Sequence, residues 1–246
     1  MPYFPPQKPL PKGYINGLAA NSNGSAGSIG AGECRDDSNT VDMVVPSFLS
    51  FNSGSWDSQA GSGILSLFIA QDPAGNQQMV STYYPASPVL PSGYIYKRRV
   101  GYAFSSRYLR CAGHQAIGLI GMRYYYYPGV NQTDGSYKVL TDGTATTATS
   151  VDLQNLVPPP LGTGRRTIKL LSQFEGVSNG DAAHFYNGET GELSTAVMRH
   201  IGGAAVVTSQ EFDFPVTDQT LKYKITHVGS TGAKLSLWVV GFYDTP

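Results

Sequence analysis

Apolar and polar side chains alternate along this chain in short runs, and Gly, Pro, Asn and Asp break the runs at close intervals. Period-two alternation over four to eight residues is the mark of a strand with one covered face. Residues 64–70 (ILSLFIA) and 77–84 predict a hairpin, reversed by Asp72-Pro73-Ala74-Gly75-Asn76. Residues 94–104 predict a strand with Tyr94 and Tyr96 on one face and Lys97 and Arg99 on the other, the aromatic face continuing to Val100, Tyr102 and Phe104. Residues 41–45 form a shorter strand stopped by Pro46, and 136–140 is framed by Thr133-Asp134-Gly135 and Thr141-Asp142-Gly143. Further strands are predicted at 117–123, 151–157, 166–174, 182–186, 193–201, 204–214, 221–228 and 234–243. In the last, Leu235, Leu237, Val239 and Gly241 share one face, and Ser236, Trp238, Val240 and Phe242 the other. Many short strands with turns between them predict an all-β, antiparallel sandwich or jelly roll, in two β modules.

Four segments follow. Residues 1–17 read as an extended N-terminal arm, because Pro2, Pro5, Pro6, Pro9 and Pro11 disfavour both helix and central strand. Residues 18–112 form an N-terminal β domain, 113–149 a connecting β segment, and 150–246 a C-terminal β-sandwich. Tyr3, Phe4 and Leu10 are apolar residues with no local core, which makes the arm either a free tail or a strap along a neighbouring subunit.

Composition narrows the function. Charged residues are 14% of the 246, against a usual share of about 25%. The surface is left to Ser, Thr, Asn, Gln and Gly, which suits packing into an assembly or hydrogen-bonding to sugars. Net charge is +0, so no long-range field draws nucleic acid or an anionic membrane. The 29 glycines and 16 tyrosines fit turns and pleated sheet. Met1 is not followed by a basic start and apolar run, so no signal peptide is expected, and no apolar stretch approaches the roughly 20 residues that span a bilayer. Two distant cysteines, Cys34 and Cys111, read as buried thiols and not as a disulfide scaffold.

Catalytic and metal patterns are not found. His114, His184, His200 and His227 have no zinc spacing, and no cofactor is expected. The oxygen-rich run from Glu33 to Asn39 lacks the frame of a calcium loop and reads as a turn whose Asp and Asn side chains bond their own backbone. No nucleophile elbow is present, and Leu161-Gly162-Thr163-Gly164-Arg165 does not open a helix as a phosphate loop does. Glu175, Asp181, Glu189, Glu192, Glu211 and Asp213 are the carboxylates a glycosidase reading would draw on. What remains are binding candidates. Lys97-Arg98-Arg99 is the densest basic patch, either a solvated strand face or a subunit contact to an acidic loop such as Asp36-Asp37. Trp56 is either a lid over the core or an exposed platform. Tyr124, Tyr125, Tyr126 and Tyr127 alternate across a sheet, as core, interface or glycan platform.

Three blocks carry a resemblance: Gly13-Tyr14-Ile15-Asn16-Gly17-Leu18, then Ala31-Gly32-Glu33-Cys34-Arg35-Asp36-Asp37-Ser38-Asn39-Thr40, then Leu90-Pro91-Ser92-Gly93-Tyr94-Ile95-Tyr96-Lys97-Arg98-Arg99-Val100-Gly101. Together they resemble a group of structural proteins encoded by tailed bacteriophages and prophages near tail and fibre genes. Gln132-Thr133-Asp134-Gly135 and residues 157–171 are similar to later parts of the same pattern. The Pro-rich start and the Tyr run depart from it. The resemblance implies a virion protein, not an enzyme: a tail-fibre or tail-tip component for assembly and host attachment, or else a capsid decoration or head-fibre protein. A polysaccharide-degrading tail protein is the remote alternative. It implies a homo-oligomer, trimer favoured; from the apolar arm and the basic cluster, Tyr3, Phe4, Leu10, Arg98 and Arg99 are the candidate subunit interface. Other virion proteins would bind through the arm, and a host glycan or protein would bind farther along. Neither nucleic acid nor membrane insertion is implied, and the chain would be assembled in the host cytoplasm.

Overall fold

The structure, a computed structural model, describes residues 9–23, 26–51, 64–82, 88–104, 108–111, 115–117, 120–126, 135–158, 166–187, 196–202, 206–216, 219–229 and 231–244. It is all-β and antiparallel, and it divides into two compact units, Met1–Tyr124 with Thr245–Pro246, and Tyr125–Asp244. No helix among the described residues is long and apolar enough to cross a membrane.

The first unit contains β1 (Ile15–Gly17), β2 (Ala20–Asn23), β3 (Ala26–Ile29), β4 (Gly32–Arg35), β5 (Asp42–Val45), β6 (Leu49–Phe51), β7 (Ile64–Gln71), β8 (Gln77–Thr82), β9 (Tyr96–Phe104), β10 (Tyr108–Cys111), β11 (Gln115–Ile117) and all but the last two residues of β12 (Ile120–Tyr126). Strand β4 lies between β1 and β5, with Cys34 opposite both Ile15 and Met43. All three residues are buried, so the end of the predicted arm is a strand of the domain's own sheet. The predicted hairpin is β7–β8, and β9 covers the other edge of β7. Its core-facing Phe68, Ala70 and Val80 form a cluster capped by Leu90 and Tyr94.

Strand β9 departs from simple alternation. Arg99 faces Phe68 and Gly101 faces Leu67, so Val100 is an extra residue, a β-bulge. The bulge flips the phase. Tyr102 therefore joins Arg99 on the Phe68 side instead of following Tyr96, and the Arg99 guanidinium stacks 5.0 Å over its ring. Residues three apart on a regular strand face opposite ways and do not meet.

The second unit contains β13 (Lys138–Gly143), β14 (Thr149–Asp152), β15 (Arg166–Gly176), β16 (Ala182–Tyr186), β17 (Ala196–Arg199), β18 (Val206–Val216), β19 (Thr220–Thr226) and β20 (Lys234–Asp244). Their pairings nest: β16 with β17, β15 with β18, β14 with β19 and β13 with β20. A long antiparallel ribbon paired this way and rolled up gives two sheets, β13-β20-β15-β18 and β14-β19-β16-β17. That is the jelly-roll order. Strand β13 lies inside the segment that the sequence suggests is a connection, and here it is one outer strand of a sheet.

The faces of the two sheets meet through aromatic side chains. Phe185 of one sheet lies 5.1 Å from Phe212 and 6.4 Å from Phe214 of the other. Ile168, Leu170, Phe174, Leu221, Ile225, Leu235 and Leu237 complete this core. Burying such side chains stabilises by about 1.5–3 kcal/mol each. Phe242 belongs here too, opposite Ile168, not on the Trp238 face as alternation predicts. A second bulge is the reason: Lys169 faces Gly241 but Leu170 faces Val239, leaving Val240 extra.

Candidate functional site

The three resemblance blocks converge in the first unit. Asp36 is at their centre, buried at 2% exposure. Its carboxylate accepts the backbone N–H groups of Ser38 (3.0 Å), Thr40 (2.6 Å) and Val41 (2.7 Å), and the Ser38 hydroxyl. Burial pushes its pKa up, but these bonds outweigh burial and hold the carboxyl below its ordinary value. This is the self-bonded turn that the Asp and Asn content predicts, closed by Asn39 at a φ of 57°.

The turn is a clasp for two other segments. Asp37 N–H donates to the Lys97 carbonyl (2.8 Å), and the Asp37 carboxylate lies 3.6 Å from the Arg98 guanidinium. Arg98 also donates to the Gly13 carbonyl (3.1 Å), while Gly13 N–H donates to the Asn39 side chain (2.7 Å). Farther out, Arg35 donates to the carbonyls of Asn39 and Leu10 and pairs with Asp42 at 3.3 Å. Asp42 accepts Leu10 N–H at 3.0 Å. Tyr14 donates to Glu33 (2.8 Å), which raises the Tyr14 pKa; burial and the charge of Glu33 add to the rise.

The site residues predicted from sequence are therefore placed as follows. Arg98 meets the acidic loop within its own chain. Arg99 is buried, bonded to the Tyr102 hydroxyl. Leu10 is fastened by its backbone on both sides. Tyr3, Phe4, Trp56 and Tyr127 lie outside the described residues, and Tyr124, Tyr125 and Tyr126 are described only as backbone of β12. Cys34 is fully buried.

A second clasp, which the sequence did not single out, holds one end of the jelly roll. Asp181 is fully buried and accepts the N–H groups of Val177 (2.9 Å), Ser178 (2.8 Å) and Val228 (3.0 Å). Its own carbonyl accepts His200 N–H at 2.8 Å. Loops that follow β15 and β19 are thus tied to one carboxylate, and the loop that follows β17 to the same residue's backbone carbonyl. Burial raises its pKa, but the backbone bonds and nearby His227 outweigh burial and lower it overall. Of the other glycosidase carboxylates, Glu175 stands in register with Lys234. Glu211 pairs with Lys169 (3.5 Å), Asp213 accepts from Tyr243 (3.4 Å), and Glu189 and Glu192 lie outside the described residues. Among the described residues, no group of three His, Cys, Asp or Glu side chains is placed to hold a metal ion.

No protein-family model and no curated protein matches the chain. Among solved structures, one described as "Structure of infectious bursal disease virus Gx strain" aligns over 98% of this chain and 74% of that chain, with 12% identity and a TM-score of 0.28. A score that low carries no argument.

Proposed function

We propose that this chain is a structural component of a tailed-phage virion, a tail-fibre or tail-tip protein that works by binding and not by turnover. One observation carries the reading. The residues responsible for the phage-protein resemblance gather into a single clasp whose donors and acceptors bond one another. Such residues fasten residues 10–14 to a β domain. A catalytic group would instead need a reach toward substrate. The jelly-roll order of the second unit supports the reading as well, because viral capsid and lectin domains use that architecture, although a fold alone does not name a function.

In this account the segment before Leu10 binds a neighbouring virion protein or a second copy, and the second unit faces the host surface. Mass spectrometry of purified particles from the source phage or induced prophage tests this. The chain should be present in stoichiometric amounts, and the purified protein should block particle adsorption to host cells. Its absence from particles would overturn the reading. Presence without any effect on adsorption would favour the capsid-decoration role.

A further inference from the structure

The two outer faces of the jelly roll treat their cations differently. On the β13-β20-β15-β18 face, Lys169 pairs with Glu211 and stands in register with Asp213, Lys234 stands in register with Glu175, and Lys138 lies 4.8 Å over the Trp238 ring with no ion pair to a described carboxylate. On the β14-β19-β16-β17 sheet, Ala183, Phe185, Met198, Leu221, Tyr223 and Ile225 are buried toward the core. Alternation then puts His184, Tyr186, Arg199, Lys222, Lys224 and Thr226 on the outer face. Arg199, Lys222 and Lys224 make no ion pair with any described carboxylate. The one acid that alternation puts on this face among the described strands is Asp152 of β14, which caps its own turn through Gln154 N–H (2.8 Å).

The cations are close enough to act together. Lys222 and Lys224 are two residues apart on one strand, about 7 Å. Arg199 is two strands away and level with Thr226, which puts it roughly 12 Å from Lys224 and about 17 Å from Lys222. Lys224 stands in register with His184, whose pKa is lowered by burial first and then by the charges of Lys224 and Arg199. Hydroxyl groups surround them. Thr226 lies 3.1 Å from His184 Nε2, and Ser150 is in register with Lys222. Tyr186 carries the Lys224 ammonium 5.6 Å over its ring, but its hydroxyl is buried, so the hydroxyls this face presents are those of Thr226 and Ser150.

We infer that the outer face of the β14-β19-β16-β17 sheet is a docking surface for an acidic polysaccharide bearing carboxylates. The inference rests on the reading above, in which the second unit meets the host surface, and it names the chemistry met there. Cations that no described carboxylate matches, on a net-neutral chain, call for an anionic partner. A protein partner would need an apolar anchor at the centre of the patch, and Val197, 42% exposed, is the one exposed apolar residue on the described strands of this face. Nucleic acid binding draws on a broad basic field, which a chain of zero net charge lacks. Carboxylates spaced along a hydroxyl-rich chain fit both the cations and the hydroxyl groups.

Binding of the purified full chain to immobilised polygalacturonate, with neutral dextran and duplex DNA as parallel surfaces, tests the inference. The expected result is binding to polygalacturonate that weakens as salt rises, with none to dextran. Lys222→Glu/Lys224→Glu should lower that affinity by at least about tenfold, and the milder Lys222→Gln/Lys224→Gln should lower it less. Lys169→Glu/Lys234→Glu on the opposite face should leave it unchanged, with thermal melts confirming that each variant is folded. No binding at low salt, equal binding by the charge-reversed variant, or tighter binding to DNA would each overturn the inference. Because the assay uses isolated protein, such a failure leaves the location of the chain in the particle untouched.

Discussion

Two aspartates do at residue scale what longer elements do elsewhere. Asp36 and Asp181 each collect three backbone N–H groups that no strand pairing satisfies, at half-buried positions. A hydrogen bond to a charged group contributes about 1.5–3 kcal/mol, and an orphaned buried donor costs a similar amount. Asp36→Ala should therefore destabilise the chain by about 2–3 kcal/mol, read from the urea midpoint, and a loss under about 0.5 kcal/mol would mean that the clasp is dispensable. Both carboxyls are held below their ordinary pKa. The proton then binds the unfolded chain more tightly. Their contribution is complete above the unfolded value of about 4 and is lost as pH falls through the lower folded values. Melting temperature should decline on acidification below about pH 4, and Asp181→Asn should flatten that decline. A variant as acid-sensitive as the parent would remove Asp181 from the account. The Asp36 turn was legible because Asp and Asn in a short polar run bond their own backbone. Asp181 was not, since one of its donors, Val228, lies 47 positions away.

At the scale of elements, alternation located the β7–β8 hairpin and strands β15, β16, β19 and β20 to within a residue or two. It failed at phase. The bulges at Val100 and Val240 add one residue each and reverse every later side chain on the strand, which moves Tyr102 beside Arg99 and Phe242 into the core. Nothing local in those residues marks the extra position; the partner strand's register creates it. Glycines show a matching contrast. Gly176 has no room for a side chain, because a Cβ there would strike the His200 ring. Gly75, in the β7–β8 turn at a φ of 91°, has nothing within 4 Å. Gly176→Ala should cost about 1–3 kcal/mol through overpacking, and Gly75→Ala about 1 kcal/mol through backbone strain alone. Equal losses at the two sites in denaturant unfolding would contradict this assignment of causes.

At the scale of the whole molecule, composition announced a β protein, but the pairing order stayed out of reach. Strand β13 finds β20 almost a hundred residues on, and each nested pair joins segments whose own patterns look alike. Since all eight described strands of the jelly roll fall inside Tyr125–Asp244, that stretch expressed alone should give a β-type circular dichroism spectrum and a single cooperative melt. A non-cooperative melt would show that its core needs the rest of the chain. The central claim is that the chain serves in the particle by binding, at the tail. Cryo-electron microscopy of the intact virion tests it most directly. The account predicts density for the clasp and the jelly roll at the distal tail, with the N-terminal segment against a neighbouring subunit; density on the head, or none in the particle, would contradict it.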